Sequence, residues 1–218
     1  MLHRNLSALL EANTYGGVMP TRVGVWVEEK RPGYEFAEVT LEPDRLSARG
    51  VAIGGDPVPY RLDYVLETGP GFVTTLLDVS SRGAGWSRRL VLRRDGAGAW
   101  TVDAETEGNS GLPAAGGDAA VLAGALDCDL GLSPVTNLMP IMRHNLLSPE
   151  LLATEGQVEL TMAWVSVPDL TVESDGQRYT SAGQNRVRYD ALDGGFSAII
   201  TMDDDGLVAD YPGVARRI

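Results

Sequence analysis

The chain of 218 residues sets 18 Lys and Arg against 30 Asp and Glu, a net charge of −12 that excludes a phosphate-backbone partner, since nucleic-acid binding needs clustered cations to displace counterions. Its one cysteine, Cys128, excludes an intrachain disulfide, and a chain of this length folds without such a staple because it buries roughly 70% of its unfolded surface. No apolar run approaches the roughly 20 residues that span a bilayer, which excludes stable membrane insertion by a helix.

Leu2, Leu6, Leu9 and Leu10 fall at helical spacing and predict a short N-terminal helix within an extension over residues 1–21, stopping near residues 13–17 and covering a sheet edge or a cavity mouth. The apolar patch of this extension is short and interrupted by Glu11, so it does not make a secretory signal, and the expected location is cytoplasmic.

From Arg22 the pattern changes to period 2. Runs at 23–29, 34–42, 46–54 and 58–68 predict consecutive antiparallel strands, each bounded by turn residues such as Pro32-Gly33, Pro43-Asp44 and Gly54-Gly55. The clearest alternation sets Val58, Tyr60, Leu62, Tyr64 and Leu66 against Arg61, Asp63 and Glu67, one apolar face and one wetted. Runs at 72–82, 86–94 and 99–105 continue the series, with Arg82, Arg88, Arg89, Arg93 and Arg94 read as a solvated hairpin face. Residues 108–117 read as a loop. The stretch 126–147, with Cys128, Asp127, Asp129, Asn137, Arg143 and His144 in an apolar run without a period, reads as an irregular central crossover. A helical turn follows at Ser148-Pro149-Glu150, capped by Ser148. The run 156–170 predicts a long strand with Val158, Leu160, Met162 and Trp164 on one face. Because its other face is also largely apolar, burial on both sides is expected. Strands at 171–183, 185–192, 196–202 and 207–211 complete about a dozen.

So many strands with so little helix predict a single all-β domain over residues 22–218: a strongly curved antiparallel sheet, either rolled or an open barrel. Sites for chemistry are scarce. Asp203, Asp204, Asp205 and Gly206 lack calcium-loop spacing and read as a hairpin turn. Asp127, Cys128, Asp129 and His144 lack paired ligand spacing, no G-x-S-x-G elbow occurs, and no Gly-rich turn opens a helix after a strand. The expectation is therefore no catalytic residue, no metal and no cofactor. What a rolled sheet offers instead is a concave face, with Trp26, Trp86, Trp100, Trp164, Met139, Met142 and Phe196 as candidate linings or as core.

Three motifs carry a family resemblance. Asp127, Asp129, Leu130, Pro134, Asn137, Pro140, Ile141 and Arg143 form the first, residues 167–170 with Gln177, Tyr179 and Thr180 the second, and residues 205–213 the third. With them the chain resembles the bacterial putative glycolipid-binding family over residues 95–218, and residues 22–94 are similar in pattern. The resemblance implies a fold similar to lipoprotein carriers and mycobacterial lipid-binding lipoproteins. The function it implies is non-catalytic binding of a lipid or glycolipid-like amphiphile. Trp86, Met139, Met162 and Trp164 are then expected on the acyl part, and Asn137, Arg143 and Gln177 on a polar head, unless those three tie the crossover to the sheet. A filled core acting as an interaction or scaffold domain, as a homodimer for instance, is the alternative reading. An enzyme centred on His144, Asp127 and Asp129 is the third.

Overall fold

The computed structural model describes residues 20–152 and 156–218, so the helix expected on Leu2, Leu6, Leu9 and Leu10 lies outside the described residues. Period-2 patterning becomes fourteen strands. The first seven, β1 (Thr21–Glu28), β2 (Gly33–Leu41), β3 (Leu46–Gly54), β4 (Tyr60–Thr68), β5 (Thr74–Gly83), β6 (Trp86–Arg94) and β7 (Trp100–Gly108), form an uninterrupted meander. Next come β8 (Asp127–Leu130), the helices α1 (Leu138–Arg143) and α2 (Pro149–Leu152), and then β9 (Gln157–Val165), β10 (Val172–Ser181), β11 (Arg186–Ala191), β12 (Ser197–Met202), β13 (Val208–Tyr211) and β14 (Ala215–Arg217). All fourteen belong to one sheet in the order β7-β6-β5-β4-β3-β2-β1-β14-β13-β12-β11-β10-β9-β8. The sheet does not close into a barrel. Each neighbouring pair is antiparallel except β8 with β9, which run parallel because a crossover through both helices joins them.

Two strands depart from the sequence reading. Asp127–Leu130 was expected inside an irregular crossover and is an edge strand, too short for alternation to reveal. Ala215–Arg217 was not expected at all; it spans three residues and bridges β13 and β1, joining the two halves of the open sheet. The run expected as one strand over 156–170 ends at Val165, because a turn closed by Ser166 and Thr171 follows.

Alternation sets the inner face of the first half. On β2 it buries Glu35, Ala37, Val39 and Leu41 and leaves Tyr34 and Phe36 about half exposed on the outer face. On β6 the same phase carries Arg88 inward with Trp86, Leu90 and Leu92, so Arg88 leaves the solvated group in which it was expected. Its buried guanidinium donates to Ser110 Oγ at 2.8 Å and to the carbonyl of Asp169 at 2.6 Å, tying the loop after β7 to the turn before β10.

Glycines on this face make room for rings. Gly50 pairs across strands with Tyr64, Gly54 with Tyr60 and Gly83 with Trp86, and in each case the aromatic ring lies over its partner where a Cβ would stand. A methyl at Gly50 would sit 2.3 Å from the Tyr64 ring. Gly50→Ala is therefore expected to lower stability by about 2 kcal/mol, the usual range for an overpacked core, as read from urea denaturation. An unchanged midpoint would mean that Tyr64 has another place to go.

The centre is occupied by the chain itself. Leu122, Leu130, Leu138, Met139, Ile141 and Leu146 from the crossover region are fully buried in one cluster with Leu62, Leu66, Leu77, Leu90 and Leu92 of the meander. Polar ties join distant parts of the sheet: Thr74 Oγ1 accepts from the Cys128 backbone N–H at 3.0 Å, and Trp26 Nε1 donates to the Val208 carbonyl at 2.7 Å. No helix among the described residues is long and apolar enough to cross a membrane.

Candidate functional site

Alternation on β8 turns Asp127 and Asp129 one way and Cys128 the other, and the two carboxylates anchor the crossover. Arg143, in the last turn of α1, places its guanidinium on both Asp127 oxygens, with Nη1 to Oδ2 at 2.8 Å. The same group donates to the carbonyls of Gly71 at 2.8 Å and Phe72 at 3.0 Å. Those two residues have positive φ, so their carbonyls point where an ordinary turn would not send them. Burial pushes the Asp127 carboxyl above its ordinary range while Arg143 pulls it back.

Asp129 organises a second tie. It accepts from Thr136 Oγ1 at 2.8 Å and from Gln177 Nε2 at 2.7 Å, and the same Gln177 nitrogen donates to Asp175 at 2.9 Å. The Tyr179 hydroxyl lies between Asn137 Oδ1 at 3.0 Å and Gln177 Oε1 at 2.9 Å. Having one proton, it serves these acceptors in turn unless the Asn137 amide is rotated to present its nitrogen.

The seven residues expected at a ligand therefore fall in different places. Met139 and Met162 are fully buried, and Met139 Sδ accepts from Thr74 Oγ1 at 3.3 Å. Asn137, Arg143 and Gln177 direct their polar atoms to the partners just named. Trp86 lies over Gly83, 8% exposed. Trp164, on β9, is partly buried and lines a cleft.

That cleft, about 470 Å³, lies where the ends of several strands meet. Its apolar wall consists of Trp164, Leu132, Val167, Phe196 and Val214, and Glu28, Lys30 and Arg31 bring charge to its rim. Phe196 is backed by rings: Tyr189 and Tyr211 lie 5.9 Å from it by centroid, and Tyr179 lies 5.4 Å beyond Tyr189. Lys30 Nζ stands 5.2 Å from the Phe196 centroid, over a ring face that attracts cations. Leu132 holds a φ of 68°, rare for a branched side chain, at the point where the chain leaves β8 and enters the cleft wall.

Glu28, Gly131, Leu132 and Val167 also line a smaller crevice of about 10 Å³, whose other walls include Glu35, Tyr60, Tyr64 and Ser133. Glu35 Oε1 accepts from Tyr64 Oη at 2.6 Å and from Ser133 Oγ at 2.7 Å. Burial pushes its carboxyl up to about 7 against those two hydrogen bonds, and the nearby Glu28 adds to the rise. Burial, and secondarily Glu28, also raises Tyr60 well above the ordinary phenol range. The sequence reading did not single out Glu35, yet a signal was there: it shares its phase on β2 with Ala37, Val39 and Leu41. Ser133 had no such signal, since it reaches Glu35 from 98 residues away.

Cys128 is fully buried and its thiol is pushed up to about 12 by that burial, far from a reactive thiolate. The turn at 203–206 closes on itself, Asp203 Oδ1 accepting from the N–H groups of Asp205 and Leu207. Among the described residues no group of three or more His, Cys, Asp or Glu is placed to hold a metal ion.

Fold and site together define an all-β protein built on one mostly antiparallel sheet, with a single side-chain core shared by the crossover and the meander and an apolar-walled cleft beside it. The chain belongs to the family described as putative glycolipid-binding, whose profile matches residues 23–217. It is similar to a DUF1089 family protein from Pseudomonas aeruginosa of known crystal structure, at 28% identity over 93% of this chain and 100% of that one, with a TM-score of 0.63. No curated protein matches.

Proposed function

We propose that this protein binds a lipid- or glycolipid-like amphiphile without transforming it, in the cleft between Trp164 and Phe196. The cleft carries the reading. Its volume of about 470 Å³ falls within the ~300–1,000 Å³ of typical small-molecule sites, and its aromatic and aliphatic wall with a charged rim matches a ligand that is apolar at one end and polar at the other. The family's description lends support from a separate direction. In this reading the sheet bends around the crossover, a shape supported by the contact of Thr74 with Cys128 and by the bridge between Gly116 and Thr171. Trp164 is the direct contact among the residues expected from sequence. Asn137, Arg143 and Gln177 hold the crossover, and through Leu132 they hold one wall of the cleft.

Native mass spectrometry of protein purified from its own host is expected to reveal retained mass of amphiphile size, lost on organic extraction. Trp164→Ala is expected to weaken rebinding of the extracted material about tenfold or more, as for an aromatic anchor of a small site, with little change in melting temperature. Protein that carries no such mass and fails to take up the host lipid extract would refute the reading.

A further inference from the structure

The crevice behind the cleft contains polar groups that the fold leaves unspent. Glu35 is 5% exposed and Tyr60 6% exposed, yet neither Glu35 Oε2 nor the Tyr60 hydroxyl has a hydrogen-bond partner among the described residues. Neither oxygen is sealed off from solvent, so in a crevice this narrow one oxygen atom from outside the chain can meet both. The crevice has room for about one such atom, since roughly 10–15 Å³ holds a single water. It is continuous with the cleft through Glu28, Gly131, Leu132 and Val167.

We infer that this crevice is a hydroxyl-selective subsite, which admits one neutral hydroxyl oxygen from the head of the bound amphiphile and rejects anionic heads. The inference rests on the cleft reading above and adds the ligand's orientation and class. The polar head enters first, with a hydroxyl between Glu35 and Tyr60, and the chain runs outward over Trp164 and Phe196. A hydroxyl both donates and accepts, so it satisfies a carboxyl oxygen and a phenol together. A carboxylate or phosphate only accepts and carries charge into a space walled by two glutamates. No lysine or arginine lines the crevice; Lys30 and Arg31 lie in the outer cleft, where Arg31 is 3.6 Å from Asp56. Carboxyl protonation near neutrality, caused by burial of Glu35, lets that group act as donor or acceptor.

The test compares two probes with the same eight-carbon chain, octyl β-D-glucoside below its micelle-forming concentration and octanoate, by isothermal titration at pH 8. The glucoside is expected to bind about tenfold or more tightly than octanoate. Tyr60→Phe removes a hydroxyl that has no protein partner and should leave the fold intact. It is expected to weaken the glucoside about three- to tenfold, the worth of one hydrogen bond, and to leave octanoate unchanged. Glu35→Gln, which stays neutral at pH 8, is expected to strengthen octanoate. Equal affinity for the two probes, or a ratio that Tyr60→Phe does not move, overturns the subsite; if both probes then still respond to Trp164→Ala, the cleft reading stands without it. If neither probe binds, both fall.

Discussion

Arg143→Ala is expected to cost about 3–5 kcal/mol, the largest loss of any single substitution outside the hydrocarbon core, because it leaves the Asp127 carboxylate buried and unpaired. Asp127 has a side chain only 1% exposed, and Arg143 supplies the hydrogen-bond donors that reach both of its oxygens. The same substitution frees the carbonyls of Gly71 and Phe72, which leaves that turn without the group that holds it against α1. If desolvation of the orphaned charge dominates, removing both charges together should cost far less than removing one. Asp127→Leu with Arg143→Met is accordingly expected to recover most of the loss. Urea denaturation of the two variants measures both quantities. A single substitution that costs less than about 1 kcal/mol would mean that the pair does not hold the crossover.

Stability is also expected to fall, not rise, as pH passes from 4.5 to 7, insofar as Glu35 controls it. Its folded-state carboxyl titrates at about 7 and its unfolded one near 4.5, so between these values the folded chain binds the extra proton. The stabilisation is fully present below 4.5 and is lost as pH rises through 7. A difference of that size corresponds to about 3 kcal/mol as an upper figure, at roughly 1.4 kcal/mol per pH unit. Asp129, also raised by burial, adds to the trend with the same sign. Glu35→Gln keeps the acceptor for Tyr64 and Ser133 and removes the titration. It is expected to match the parent near pH 5 and to exceed it by about 2–3 kcal/mol at pH 8. Parallel stability curves for the two proteins across this range would show that Glu35 ionises without penalty.

How far the sequence could be read depended on whether the signal was local. The alternation of Tyr60, Leu62, Tyr64 and Leu66 marked β4 and its buried face, since one strand facing a core has a period of two whatever it packs against. Turn residues such as Pro32-Gly33 and Pro43-Asp44 marked the chain reversals between successive strands. The strand Asp127–Leu130 was not legible: it is four residues long, is covered on both faces, and so has no alternation between wet and dry. Arg88 was misplaced because charge outweighed phase. The pattern put it inward with Leu90 and Leu92, and only the carbonyls waiting in the loop after β7 and in the turn before β10 explain why a cation is tolerated there.

The candidate site divides in the same way. The motif residues Asp127, Asp129, Asn137, Arg143 and Gln177 stood out by residue type in an apolar run, but type alone does not say whether a polar group meets a ligand or another part of the chain. Several of their partners lie dozens of residues away in sequence: Phe72 for Arg143, Tyr179 for Asn137 and Asp129 for Gln177. The sequence by itself determined the class of fold, the order of most strands and the face each presents, because those follow from periodicity and turn chemistry within a few residues. Only the tertiary structure decided that the crossover occupies the centre and that the open space lies between Trp164 and Phe196. It alone brought Ser133 against Glu35. A cavity is bounded by segments far apart along the chain, and their meeting depends on how the whole sheet packs, which no local pattern encodes.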